Sequence, residues 1–332
     1  MTLIPLGEFF ATYGFRTTFF AVLLVGFFAG GAGSFLYLRA QSLISDVMGH
    51  CAILGVVCAF ALAAAWGGNG QSTLVVSLGA AFSSCMAVAL TNWIVAHTPV
   101  KPDAAMAVSL SIFYGGGLAA IHILNHSSIP GKAGIMSYFF GNAATVRAVD
   151  LWTIALLGVI ASAVVVAMWK EVALLVFDPI MARLSGCRPR VVDALLTICV
   201  TVAIVLGVKS VGMILVVAFA LMPAVIVRPF VHSMRAMVLG SACAGAIAGM
   251  LGGYLSISMG DVPTGPIVVI LLFIAFLISL AVRALRLWLE LRRQGLHVWH
   301  CRWWQRSGRA QAQRLETCAE QREVCLRRGA YS

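Results

Sequence analysis

Asp46 and His50 stand four residues apart in RAQSLISDVMGHCAILG, Arg39 to Gly55, inside a long apolar run. Residues i and i+4 leave the same face of an α-helix. A carboxylate and an imidazole on one face offer a hard oxygen and a borderline nitrogen, a donor set suited to zinc, manganese or ferrous iron. Two ligands at this spacing can grip one ion from a single helix. The same two groups could instead form a hydrogen-bonded pair that pins two helices, or a proton relay. Ionisable side chains at membrane depth are expensive and mark functional sites by default. At about 1.5 Å per residue from Arg39, Asp46 lies roughly 10 Å and His50 roughly 16 Å into the span. His50 is then near the middle of a hydrocarbon core about 30 Å thick.

Other chemistry-bearing residues are less pointed. His122 and His126 repeat the i, i+4 spacing at the outer end of the fourth span, where they could meet an incoming cation; histidines at a solvent edge are commonly bland. His297, His300 and Cys301 lie in HVWHCRWW, whose tryptophans and arginines fit an interfacial basic stretch better than a metal site. No G-x-x-x-x-G-K-[ST], H-E-x-x-H or G-x-S-x-G occurs, so P-loop, zinc-protease and nucleophile-elbow chemistry have no foothold. No second buried carboxylate is expected beside Asp46, which argues against an intramembrane aspartyl protease.

The elements that must position Asp46 and His50 follow from composition. Of 332 residues, 61% are hydrophobic and 11% charged, with mean hydropathy +0.96. Apolar runs of about 20 residues, without period-two alternation, define helical membrane spans and not a barrel. Candidate spans fall at 17–38, 42–65, 72–96, 104–124, 151–169, 191–208, 210–227, 237–257 and 265–285. The pair flanking Lys209 is so closely joined that one member is expected to be short or broken, giving eight or nine spans. The fold class is therefore all-α, a polytopic transmembrane helical bundle, with residues 1–285 as the membrane domain and 286–332 as a basic cytoplasmic tail. The N-terminal run is too long for a signal-peptide core.

Charge sets the orientation. From Arg283 onward there are 11 basic and 4 acidic residues, a net of +7 out of +11 for the whole chain. A basic tail is held on the cytoplasmic side of the membrane, facing its lipid, and nucleic-acid binding is not required to explain it. With the tail inside, Arg39, Lys101, Lys170, Arg183, Arg188, Arg190, Arg228 and Arg235 are also inside. Arg16, Lys132, Arg147 and Lys209 are left outside. Residues 125–150 form an outer loop with an expected interfacial or re-entrant helix around 134–144. Gly245, Gly249 and Gly253 recur every fourth residue, as do Gly26 and Gly30, a pattern that packs helices closely. Gly115, Gly116 and Gly117 suggest a weak point in the fourth span, although plain helix packing accounts better for all of these glycines. Nine cysteines show no metal-finger spacing, and no disulfide framework is expected.

One inner loop has a signature of its own, FDPIMARLSGCRPR, from Phe177 to Arg190. Asp178 before Pro179 reads as an N-cap with proline at N1, opening a short helix that ends near Gly186. A compact helix on a cytoplasmic loop is a suitable docking surface for another protein, although the motif read alone gives only a well-capped loop helix.

Together these motifs resemble the integral permeases of the ABC importers for zinc, manganese and chelated iron. The second span resembles that family's R-x-x-L-x-G-D-x-x-x-H-x-x-x-x-G through Leu43, Asp46, His50 and Gly55, with Ser45 in place of glycine and with Arg39 one residue further from Leu43 than the pattern sets it. Leu54 replaces a proline frequent in manganese-type members, which leans towards the zinc type. Phe177, Asp178, Pro179, Ala182 and Gly186 match the segment where the family's permease engages its ATPase. Val211, Gly212, Leu215, Pro223 and Ala224 match a further family stretch, as do Thr264, Gly265 and Pro266. Tyr138 to Asn142 matches a segment that usually ends in aspartate, and Asn142 removes that carboxylate.

The resemblance covers about residues 15–285. It implies a non-enzymatic permease subunit, homodimeric or paired, in a bacterial cytoplasmic (inner) membrane. Its implied partners are a cytoplasmic ATP-binding-cassette ATPase bound at the 178–186 helix and an extracytoplasmic metal-binding protein. Its cargo would be a divalent transition metal, zinc ahead of manganese or iron, passing Asp46 and His50, with no cofactor held permanently. The alternative is a secondary metal or proton-coupled carrier that needs no ATPase.

Overall fold

A backbone in lipid has no water to bond, so each crossing segment must satisfy its own N–H and C=O groups as a helix. The computed structural model describes residues 12–39, 41–65, 73–126, 148–185, 188–259 and 264–293. All the long apolar runs among them are helical. In order they are α1 (Tyr13–Leu38), α2 (Ser42–Ala65), α3 (Thr73–His97), α4 (Pro102–His126) and α5 (Ala148–Ala167). Two short helices follow, α6 (Trp169–Phe177) and α7 (Pro179–Leu184), then α8 (Pro189–Val211), α9 (Met213–Val227), α10 (Met234–Ser258) and α11 (Thr264–Arg293). Eight of these helices are long and apolar enough to cross a membrane, and α9 is the short ninth. The expected re-entrant helix at 134–144, Tyr138–Asn142, Lys132, Arg147, Gly186 and the His297–Cys301 cluster lie outside the described residues.

The break between the sixth and seventh sequence runs falls at Gly212, three residues beyond Lys209. Helix α8 continues through Lys209 to Val211, and Gly212 then turns the chain with φ 90 and ψ 159. A Cβ disfavours that backbone, so glycine starts α9 at once with no loop. The expected weak point in α4 does not interrupt it. The helix runs unbroken through Gly115–Gly117, and Gly117 lies against Ile53 of α2.

The core forms in two neighbouring groups. Helix α1 is the most buried spanning helix and packs on α10, α9, α8 and α5. Helices α2, α3 and α4 pack on one another, and α8 and α9 contact both groups. Lipid tails are as apolar as leucine, so burial against lipid gives little driving force and close van der Waals fit must hold the helices. Small residues provide that fit. A Cβ built on Gly26 would collide with the Gly245 carbonyl oxygen, and one on Gly245 with that of Gly26. At Gly249 the Val22 carbonyl oxygen would be 2.7 Å away. Gly253 continues the pattern in sequence but not in contact, because its nearest neighbour is the Phe19 Cα at 3.9 Å.

By internal packing the chain divides into Met1–Ser279 and Leu280–Ser332. The described part of the second unit is the end of α11, which stays helical to Arg293.

Candidate functional site

The first turns of α2 place the Asp46 carboxylate and the His50 imidazole together, with Asp46 Oδ1 3.2 Å from His50 Nε2. A neutral ring that donates to Asp46 carries its proton on Nε2, which leaves Nδ1 as an acceptor. That Nδ1 is buried and has no hydrogen-bond partner. A buried polar atom without a partner costs about 1–3 kcal/mol. The pair is nonetheless open on one side. The Asp46 side chain is 43% exposed and that of His50 26%.

Neighbouring helices fix the turn that bears them. From α3, the Ser83 hydroxyl donates to the Cys51 carbonyl and the Ser84 hydroxyl to the Met48 carbonyl, both at 2.7 Å. Close approach of α3 is allowed where Gly55 meets the Gly79 carbonyl oxygen. Thr91 of α3 donates to Ser109 of α4 at 2.8 Å, tying the third helix of the group in place. From α4 the Tyr114 ring meets His50 edge to face, with centroids 5.1 Å apart. Tyr114 escaped the sequence reading, because its nearness to His50 is a contact between helices and leaves no periodic trace. Among the described residues no group of three or more His, Cys, Asp or Glu gathers to hold a metal. The pair is thus a two-donor arrangement within one chain. Such a set can grip an ion briefly, where a closed four-ligand cage would retain it.

Asp150, expected at the end of the 125–150 outer loop, is instead buried in the first turn of α5, which begins at Ala148. A carboxylate there faces the favourable end of the helix dipole. Helix α5 packs on α1 and α8, outside the α2–α3–α4 group.

His122 and His126 end α4 as exposed residues. Their rings are 4.5 Å apart, and His126 Nδ1 contacts the His122 carbonyl at 2.9 Å.

The second candidate surface is the Asp178 segment. The Asp178 carboxylate accepts from the N–H groups of Ile180 (3.1 Å) and Met181 (2.9 Å), and Pro179 occupies N1. Helix α7 ends at Leu184 with Ser185 as its C-cap. Ala182 is buried, so it holds α7 against the bundle and offers nothing to a partner. Phe177, Ile180 (72% exposed), Met181 and Leu184 (78%) point outwards, the last three unmarked by sequence reasoning. Exposed apolar residues crowded on a capped helix make this segment a candidate binding surface.

Eight helices long and apolar enough to cross a membrane, with an ionisable pair on α2 and a capped, apolar loop helix, describe a multi-pass membrane protein. A family model described as the ABC 3 transport family matches residues 12–283, and the chain belongs to that family. The zinc transport system membrane protein TroC of Treponema pallidum is 31% identical over 271 residues, which cover 82% of this chain and 89% of that protein. The manganese transport system membrane protein MntC of Bacillus subtilis is 31% identical over 281 residues, covering 82% of this chain but only 63% of that protein's length. Among solved structures, PsaBC from Streptococcus pneumoniae in complex with Fab has a chain that superposes with TM-score 0.72 at 25% identity, covering 83% of this chain and 95% of that one. The chain is a metal ABC importer permease.

Proposed function

We propose that this permease passes zinc in preference to manganese or iron, using Asp46 and His50 as a transit site. The observation that carries the reading is the Asp46–His50 pair itself, with its unpartnered Nδ1 and its open side. Zinc accepts mixed nitrogen and oxygen ligands readily, and Leu54 stands where manganese-type members often carry proline. A half-exposed carboxylate at membrane depth must face a cavity or another protein surface and not lipid. A second copy of the permease covers that face and supplies the remaining ligands, so the working unit is a homodimer around a central path. His122 and His126, at the outer end of α4, offer imidazoles to an ion on its way in.

The other partners follow from the same reading. A cytoplasmic ATPase sits on Phe177, Asp178, Pro179 and the exposed face of α7, with the chain continuing through Gly186. ATP binding and hydrolysis by that ATPase switch the permease between outward and inward states. An extracytoplasmic binding protein delivers the ion, and the assembly resides in a bacterial cytoplasmic membrane. The test is uptake into liposomes containing the permease, its ATPase and its binding protein, with zinc, manganese and ferrous iron supplied singly and in competition. Zinc taken up first, and only with ATP, is the expected result. Preferred manganese uptake overturns the metal assignment, and uptake driven by a proton gradient without the ATPase overturns the mechanism in favour of a secondary carrier.

Loss of the N-cap tests the docking surface. Asp178→Ala removes the acceptor for two backbone N–H groups, which destabilises a helix start by about 1 kcal/mol. For a helix of six residues that is enough to unravel it. The expected outcome is loss of ATPase from the copurified complex with the permease still inserted. An undiminished ATPase-to-permease ratio would place docking elsewhere.

A further inference from the structure

We infer that Arg39 and Asp193 form a positioning pair that transmits movement of the α7 segment to the helix bearing Asp46 and His50. The inference rests on the proposed ATPase docking at α7. The Arg39 guanidinium is in direct contact with the Asp193 carboxylate, joining the end of α1 to the second turn of α8. The two side chains are 18% and 31% exposed. Partly buried partners of opposite charge are costly to separate, because each is left with an uncompensated charge in a poor solvent.

Both ends of the link are short in sequence. On one side, Arg39 closes α1 and α2 starts at Ser42. The turn between them is fixed by the Gln41 N–H bonded to the Leu36 carbonyl (3.0 Å) and the Ile44 N–H bonded to the Gln41 carbonyl (3.1 Å). Asp46 follows within two turns, so displacement of Arg39 reaches the pair through one short, hydrogen-bonded corner. On the other side, α7 ends at Leu184 and α8 begins at Pro189. The Arg188 carbonyl accepts from the N–H groups of Val191 (3.0 Å) and Val192 (3.2 Å), so Asp193 is part of a formed helical turn.

Charge assigns the pairing. Arg39, Arg183, Arg190 and Asp193, with Leu175 and Pro189, line one cavity of about 480 Å3. Asp193 is the single acid facing three arginines there, and it engages the arginine that leads into α2, not those on the loop side. Arg183 is carried by α7 itself, so the coupling segment and the pair share walls of the same cavity.

The experiment measures ATP hydrolysed per metal ion taken up, in liposomes holding the full permease with its ATPase and binding protein. Arg39→Gln and Asp193→Asn should each raise that ratio by about 5- to 10-fold, the range of a modest coupling energy. The ATPase should still copurify. The exchange Arg39→Asp with Asp193→Arg keeps the cavity's net charge and should return the ratio to within about twofold of the parent. A purely structural pair would lower the amount of active complex and leave the ratio unchanged. If the neutral variants do not accumulate, Arg39→Lys, which keeps the charge but loses the fork, should still raise the ratio; an unchanged ratio in the folded variants overturns the inference. ATPase missing from the unmodified permease would overturn the docking reading instead.

Discussion

Asp46→Ala and His50→Ala should each abolish metal uptake while leaving the permease inserted and assembled. Groups one layer removed from a metal typically cost about 10- to 100-fold when lost, so loss of one of two direct donors should cost on the order of 100-fold or more. Stability should change little, because both side chains are partly exposed and alanine is well accepted in a helix. Asp46→Asn separates the roles further. An amide still accepts a hydrogen bond from His50 but is a poor, uncharged ligand, so a structural pair survives it and a transit site does not. Uptake is measured in the reconstituted complex, with thermal unfolding and ATPase copurification as controls. Wild-type uptake by either alanine variant in folded protein would leave Asp46 and His50 as a pin between helices.

Gly245→Val should give a large loss of stability in the α1–α10 seam. Any Cβ at 245 strikes the Gly26 carbonyl oxygen. That obstacle is backbone, so no side chain can rotate aside and the two helices must part. Overpacking costs about 1–3 kcal/mol when neighbours can adjust; here they cannot, and about 3 kcal/mol or more is expected. Gly253→Ala is the internal control. Its nearest neighbour is 3.9 Å away, so the change should fall within about 0.5 kcal/mol. Unfolding midpoints of the purified chain in detergent compare the two. Equal shifts would mean that glycine spacing, and not backbone contact, governs the seam.

The difference between Gly245 and Gly253 also shows where sequence pattern stops being informative. Period-four glycines identify a face, but whether a given member touches a partner depends on how far the helices diverge. Asp46 and His50 were legible because their contact lies within one helix, and the Asp178 cap because it lies within four residues. Tyr114 beside His50, and Arg39 beside Asp193, join residues 64 and 154 positions apart, and no local rule brings them together. The nine apolar runs were legible from hydropathy alone. The break at Gly212 was not, because Lys209 is the conspicuous residue while the turn needs a positive φ. The end of α11 was placed early at 285, since hydropathy fades at Arg283 and Arg286, yet helical hydrogen bonding does not require apolar side chains and runs to Arg293.

The two serine hydroxyls that α3 places on α2 have a mechanical consequence. Together with the backbone approach of Gly55 and Gly79, they weld α2 to α3 beside the Asp46–His50 turn. The two helices should therefore move together if the bundle rearranges during transport, with the change expected at their borders with α8 and α9. Spin-label distances between α2 and α3 should stay constant with and without nucleotide, while those from α2 to α8 change; a variable α2–α3 distance would put the hinge inside the welded pair.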